Sequence, residues 1–175
     1  FAGRGGMDIE GLGYKTVDLL LSEGLIADPA DVFTLPPAAL LGREGWGETS
    51  VGNLMDAIET AKDRPVGRLL TALGIPLVGG TVARLLARRF LNMETLLDAS
   101  EEELTAIDGI GPEIVASLRL WAADPANRSL VERLAAAGVR MSDPEPEGVD
   151  RGLLAGVTLV VTGTLEGFTR ESARL

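Results

Sequence analysis

A short glycine turn returns along this chain at a nearly constant interval. Ile107-Asp-Gly-Ile-Gly111 reads apolar, any, Gly, apolar, Gly, and it runs into a helical stretch opening on Pro112. Ile9-Glu-Gly-Leu-Gly13 and Arg43-Glu-Gly-Trp-Gly47 repeat the pattern, and Ile75-Pro-Leu-Val-Gly79 is a worn copy. The closing glycines stand at 13, 47, 79 and 111, so the spacing is 34, 32 and 32 residues. A period of that size indicates one supersecondary unit used repeatedly. Each unit reads as helix, glycine turn, helix.

The pattern carries a chemistry. Paired glycines permit φ > 0 and let the backbone approach something large. Proline suits the first helical position, because its missing N–H would be unpaired there anyway. Each closing glycine thus marks a helix start with outward amides, and such starts hold anions, most often phosphate. The expected binding residues are Gly11, Leu12 and Gly13; Gly45, Trp46 and Gly47; Gly79 and Gly80; and Gly109, Ile110 and Gly111. They act through amides, with the apolar residue between the glycines expected to be exposed, except that Trp46 is expected to pack inward rather than to lie in a groove. Thr16, Thr49, Ser50 and Thr81 are placed to add hydroxyl donors. Lys15 sits in a first helical turn, where a cation is unfavourable unless an anion is near; a solvated lysine is the alternative. Arg84, with Arg88 and Arg89, reads either as a phosphate patch or as a solvated face.

Composition narrows the alternatives. The chain is 46% hydrophobic with only 4% aromatic residues, which suits a core of aliphatic side chains between helices. It has no Cys and no His, so thiolate metal sites, disulfides and the commonest general base are excluded. The lysines are Lys15 and Lys62, and neither is followed by x-Asp-Gly, the mark of a nucleotidyl-accepting lysine. No catalytic centre is expected. No apolar run approaches a membrane span, and the first residues lack the apolar core of a signal peptide. A cytoplasmic, nucleoid-associated monomer is expected. The net charge of −10 argues against a nucleic-acid partner, although amides hold phosphate without basic side chains.

Taken in order, residues 1–8 read as the end of a helix. Tyr14–Glu23 is helical and stops at Gly24; Asp28-Pro29 and Leu35–Leu41 start short turns of helix. Glu48–Lys62 carries Val51, Leu54, Met55 and Ile58 at helical spacing. Pro65 restarts a helix before the third turn, and Thr81–Phe90 follows it. Ser100 with Glu103 forms a capping box, and Asp124-Pro125 opens a last helix ending at Gly138. Residues 142–152, rich in Pro and acid, read as a linker. The β-branched run Val157–Val161 reads as a strand buried on both faces, with Thr169 placed to cap a helix. The fold expected is mostly α, in a helical domain over 1–141, followed by a truncated α/β piece over 153–175.

Four tandem helix-hairpin-helix units, the Pro/Glu linker and Leu154-Ala-Gly-Val-Thr-Leu-Val-Val-Thr-Gly163 together resemble the C-terminal part of bacterial NAD-dependent DNA ligases. Met7-Asp-Ile-Glu-Gly-Leu-Gly13, Gly45-Trp-Gly47 and Leu73-Gly-Ile-Pro76 carry the likeness. The resemblance implies a nick-sealing parent that uses NAD and Mg²⁺, with its adenylation lysine and a Cys₄ Zn²⁺ finger upstream of Phe1. It implies that this segment, without a cofactor of its own, grips double-stranded or nicked DNA across the minor groove and docks on upstream ligase domains. It makes 153–175 the start of a BRCT domain, in which Thr162 and Gly163 match a phosphate-binding turn. Two residues depart from the pattern. Arg43 replaces an apolar residue and Leu77 a glycine, which puts DNA binding by the third turn in question. A helix-hairpin-helix appendage of another repair protein and a protein-binding helical scaffold are the alternatives.

Overall fold

Helices begin at capping side chains, at proline or directly after glycine. The structure, a computed structural model, describes residues 1–144. They lie in one compact unit, Phe1–Glu145. Its helices are α1 (Tyr14–Ser22), α2 (Pro29–Val32), α3 (Glu48–Lys62), α4 (Val66–Ala72), α5 (Gly80–Phe90), α6 (Met93–Asp98), α7 (Glu101–Thr105), α8 (Pro112–Ala123) and α9 (Pro125–Ala136), with a 3₁₀ turn at Pro37–Ala39. Among the described residues there is no strand, only an isolated bridge between Asn92 and Ser142. The strand expected over Val157–Val161, Thr162, Gly163 and all of 153–175 lie outside the described residues.

Residues 1–8 are not a helix end. They form tight turns, with the Gly6 amide donating to Gly3 and the Met7 amide to Phe1. Glycines at 3, 5 and 6 disfavour helix, and at Gly6 the demand is steric. A Cβ there would fall 2.3 Å from the Phe1 carbonyl oxygen.

The helices pack by their apolar stripes. Leu20, Leu54, Leu69, Leu86, Leu104, Leu118 and Leu134 come from seven different helices and all sit in one core. No polar or charged residue is buried among the described residues. The helix before each glycine turn varies: α4 and α7 are short helices, the second turn is preceded only by the 3₁₀ turn, and the first only by the turns of residues 1–8.

Two devices close the fold. Arg133 on α9 bonds Asp31 at 2.6 Å and also Asp28, joining the last helix to α2. The segment after Gly138 then runs back as a strap. The Arg140 amide donates to the Lys62 carbonyl at 2.8 Å, and the Met93 amide to Met141 at 2.9 Å. Asp143, read from sequence as linker, is part of this strap. Both its carboxylate oxygens accept from the Val66 amide at 3.1 Å, because α4 begins after Pro65 and has no cap of its own.

Candidate nucleic-acid interface

The four turns share one backbone. In each, the fourth residue donates to the carbonyl of the first: Leu12 to Ile9 (3.2 Å), Trp46 to Arg43 (2.9 Å), Val78 to Ile75 (3.0 Å) and Ile110 to Ile107 (3.0 Å). The third residue is left-handed in all four, at φ +83° for Gly11, +80° for Gly45, +67° for Leu77 and +86° for Gly109. Such a φ is what a tight turn with glycine at its third place requires. Leu77 adopts it too, so the third turn keeps its shape despite the missing glycine.

The closing glycines are the N-caps of α1, α3, α5 and α8. Gly13, Gly47, Gly79 and Gly111 have φ between −79° and −91° and extended ψ. No side chain caps any of these four helices among the described residues. Elsewhere every α-helix start is covered: α2 by Asp28, α4 by Asp143, α6 by Asn92, α7 by Ser100 and α9 by Asp124. Nothing internal asks for glycine at the four open starts. Their φ is available to any residue, and a Cβ at Gly13, Gly47, Gly79 or Gly111 would meet no atom within 4 Å. What glycine leaves there is room, outside the protein, for something to come close to exposed amides.

The family of the helix-hairpin-helix motif matches residues 68–131, which contain the third and fourth turns. The DNA ligase of Frankia casuarinae is 41% identical over 174 residues, covering 99% of this chain and 24% of that protein. The DNA ligase of a Roseiflexus species is 44% identical over 174 residues, again 99% and 24%. That of Thermotoga maritima is 45% identical over 170 residues, 96% and 24%. The chain is homologous to a C-terminal segment of DNA ligases. It spans about a quarter of the length of the relatives it matches.

Within this ligase-like segment the side chains at the turns sort differently from the expectation. Leu12, Val78 and Ile110 are buried, not exposed. Each packs into the core, so Leu12 and Ile110 offer a partner no side chain. Trp46 is half-buried and packs against the core, as expected. The hydroxyls of Thr16 and Ser50 donate inward as well, Thr16 Oγ1 to Gly11 O at 3.0 Å and Ser50 Oγ to Gly47 O at 3.0 Å. They stiffen the first two turns rather than reach out. Thr49, Thr81 and Lys15 are exposed. Arg84 bends back over the start of α5, with Nη2 3.3 Å from Thr81 Oγ1.

The starts are not electrically equal. Glu48 and Glu113 stand in the first turns of α3 and α8, whereas those of α1 and α5 carry no acid. The fourth start also has fewer amides to offer, since Pro112 has none and Ile114 donates to Gly111 O at 3.1 Å. Tyr14, next to Gly13, is 97% exposed and escaped the sequence reading; its only signal was its place directly after the closing glycine. A groove of about 610 Å³ beside the first turn is lined by Gly11, Ser50 and Asn53, but also by Asp8, Glu10 and Asp56, a poor setting for phosphate.

Proposed function

We propose that this chain binds duplex and nicked DNA without sequence preference, as the DNA-gripping part of a ligase. The observation that carries the reading is the selective opening of four helix starts, each closed by a glycine for which the fold has no internal use. Exposed amides at a helix start hold phosphate oxygens. Contacts to phosphate position a protein on the duplex but read no bases. The net charge of −10 weakens binding without forbidding it, because at physiological salt charges farther than about 8 Å apart are largely screened.

In the same reading all four turns are helix-hairpin-helix units, the helical domain covers 1–141, 142–152 is a linker and 153–175 opens a BRCT domain. Nick sealing, with NAD, Mg²⁺ and Zn²⁺, belongs to the parent. The described residues contain no group of three or more acidic side chains that would hold a metal ion. Lys15 and Lys62 lack the adenylation signature, so no step through these groups is assigned to this chain. A cytoplasmic, nucleoid-associated monomer remains part of the proposal. No helix among the described residues is long and apolar enough to cross a membrane.

Fluorescence anisotropy of a labelled nicked duplex, titrated with the folded chain at low and rising salt, tests the reading. The expected result is binding that weakens steeply with salt and is equal for unrelated sequences. A folded chain that binds no duplex at low salt refutes it and leaves the protein-binding scaffold in its place.

A further inference from the structure

The helices that follow the four turns share a backbone geometry at their starts but differ in charge. Counted from the closing glycine, the fifth, ninth and tenth residues are Asp18, Ser22 and Glu23 after the first turn; Gly52, Asp56 and Ala57 after the second; and Ala116, Leu120 and Trp121 after the fourth. After the third they are Arg84, Arg88 and Arg89. The formal charge at these three places is thus minus two, minus one, zero and plus three. Arg84 and Arg88 lie one helical turn apart, so they share a face of α5, and both are exposed.

Most other cations among the described residues are paired; Arg4, Lys15 and Arg119 are not, but each stands singly on its own segment. Arg43, Lys62, Arg64, Arg68, Arg128, Arg133 and Arg140 each sit in an ion pair with a carboxylate. Arg84, Arg88 and Arg89 form none among the described residues. Arg89 lies over the Phe90 ring, 5.4 Å from its centroid. Glu103 of α7 feels the charge of Arg89, but its carboxylate accepts from the Ser100 amide at 2.9 Å. In a chain this acidic, three guanidiniums without an ion pair on one helix, Arg84 near its open start and Arg88 and Arg89 in its last turn, offer a track for anions from outside.

We propose that the arginine strip of α5 is the principal phosphate anchor of the segment on duplex DNA, so that the third turn, whose glycine is replaced by Leu77, grips most strongly. This rests on the DNA-binding reading above and says which part of the surface carries it. Each phosphate contact contributes about 0.9 to the slope of log K against log salt.

The test is the salt titration of the full 175-residue chain on a nicked duplex. Arg84→Ala with Arg88→Ala is expected to lower the slope by about 2 and to weaken low-salt binding by roughly tenfold or more, with an unchanged circular dichroism spectrum. Arg84→Lys with Arg88→Lys is expected to keep the slope. Arg140→Ala makes the same change in net charge as Arg88→Ala alone, but at a paired surface site; it is expected to leave the slope alone. An unchanged slope in the double alanine variant, or an equal loss in Arg140→Ala and Arg88→Ala, overturns the anchor while the DNA-binding reading stands. No binding by the unaltered chain overturns both.

Discussion

Ser117 on α8 donates its hydroxyl to the Pro76 carbonyl across 2.6 Å, tying the helix after the fourth turn to the third turn itself. The reverse contact exists as well. Gly109 of the fourth turn rests on α5, where a Cβ at that glycine would lie 3.4 Å from Leu85 Cδ1. Leu85 and Ser117 hold the same place, six residues after Gly79 and Gly111. Each turn therefore leans on the other's helix, a local two-fold relation. A duplex has a two-fold relation of its own between strands, so a pair built this way suits one phosphate track on each.

Ser117→Ala is expected to cost about 1 kcal/mol, the worth of one hydrogen bond at a partly exposed carbonyl. It should also loosen the third turn against the fourth. Urea unfolding measures the first effect, and hydrogen exchange at the Val78 amide the second. A variant as stable as the parent, with Val78 equally protected, would show that the apolar contact at Leu85 alone sets the pairing.

The open helix starts make an unusual combination testable. Serine is a better N-cap than glycine by a few tenths of a kcal/mol, and a Cβ at Gly13 or Gly111 would meet no atom within 4 Å. Gly13→Ser with Gly111→Ser is thus expected to leave stability equal or slightly raised. Its new side chains would occupy first-turn amides and the space before them, so affinity for nicked duplex is expected to fall severalfold. Paired thermal melts and anisotropy titrations read the two outcomes; unchanged affinity would remove the amides from the binding account.

Much of this was legible in the letters. The helix Glu48–Lys62, the capping box of Ser100 and Glu103, and the stops at Gly24 and Gly138, both at positive φ, follow from local rules that residues a few places apart enforce. The short α6 did not show, because six residues are too few for a helical period; its one signal was Asn92, which caps it. Nor did the fate of the apolar residue between the glycines, since burial depends on which helix lies across the turn. The Asp143 cap on Val66 and the Ser117 bond to Pro76 join residues 77 and 41 positions apart, beyond the reach of any pattern along the chain. The open starts were visible as glycines. Among the α-helix starts of the described residues they alone lack side-chain caps, because α4, without a cap in its own sequence, takes one from Asp143.

Leu77 and Gly109 occupy equivalent places and predict opposite outcomes. A non-glycine residue in the left-handed region costs about 1–2 kcal/mol, and Leu77 gains little packing in return, being 59% exposed. Leu77→Gly is expected to stabilise the protein by roughly 0.5 kcal/mol, after the greater chain entropy of glycine is set against the relieved strain. Gly109→Ala introduces the same strain at φ +86° and presses on Leu85, so a loss of at least about 1 kcal/mol is expected. Denaturant midpoints for the two variants on either side of the parent would bear this out; a destabilised Leu77→Gly would mean that the leucine packs in solution.

Asp31 supplies the clearest dependence on pH. Its carboxyl is held below the ordinary aspartate range, first by the Ala27 amide, which donates to it at 2.7 Å. Partial burial opposes this, and the Asp28 amide and Arg133 add to it. The folded state therefore prefers the ionised form more than the unfolded chain does. Stability from this group is present in full above the unfolded value, near pH 4, and is lost as pH falls through the lower folded value. The loss should be felt at the joint between α2 and α9, because a protonated Asp31 no longer answers the charge of Arg133. Asp31→Asn is expected to be less stable than the parent at neutral pH, by about 1 kcal/mol for a weakened capping box. It should also lose less on going from pH 5 to pH 3. Urea midpoints of both proteins across that range decide the matter, and parallel acid limbs would place the titrating group elsewhere.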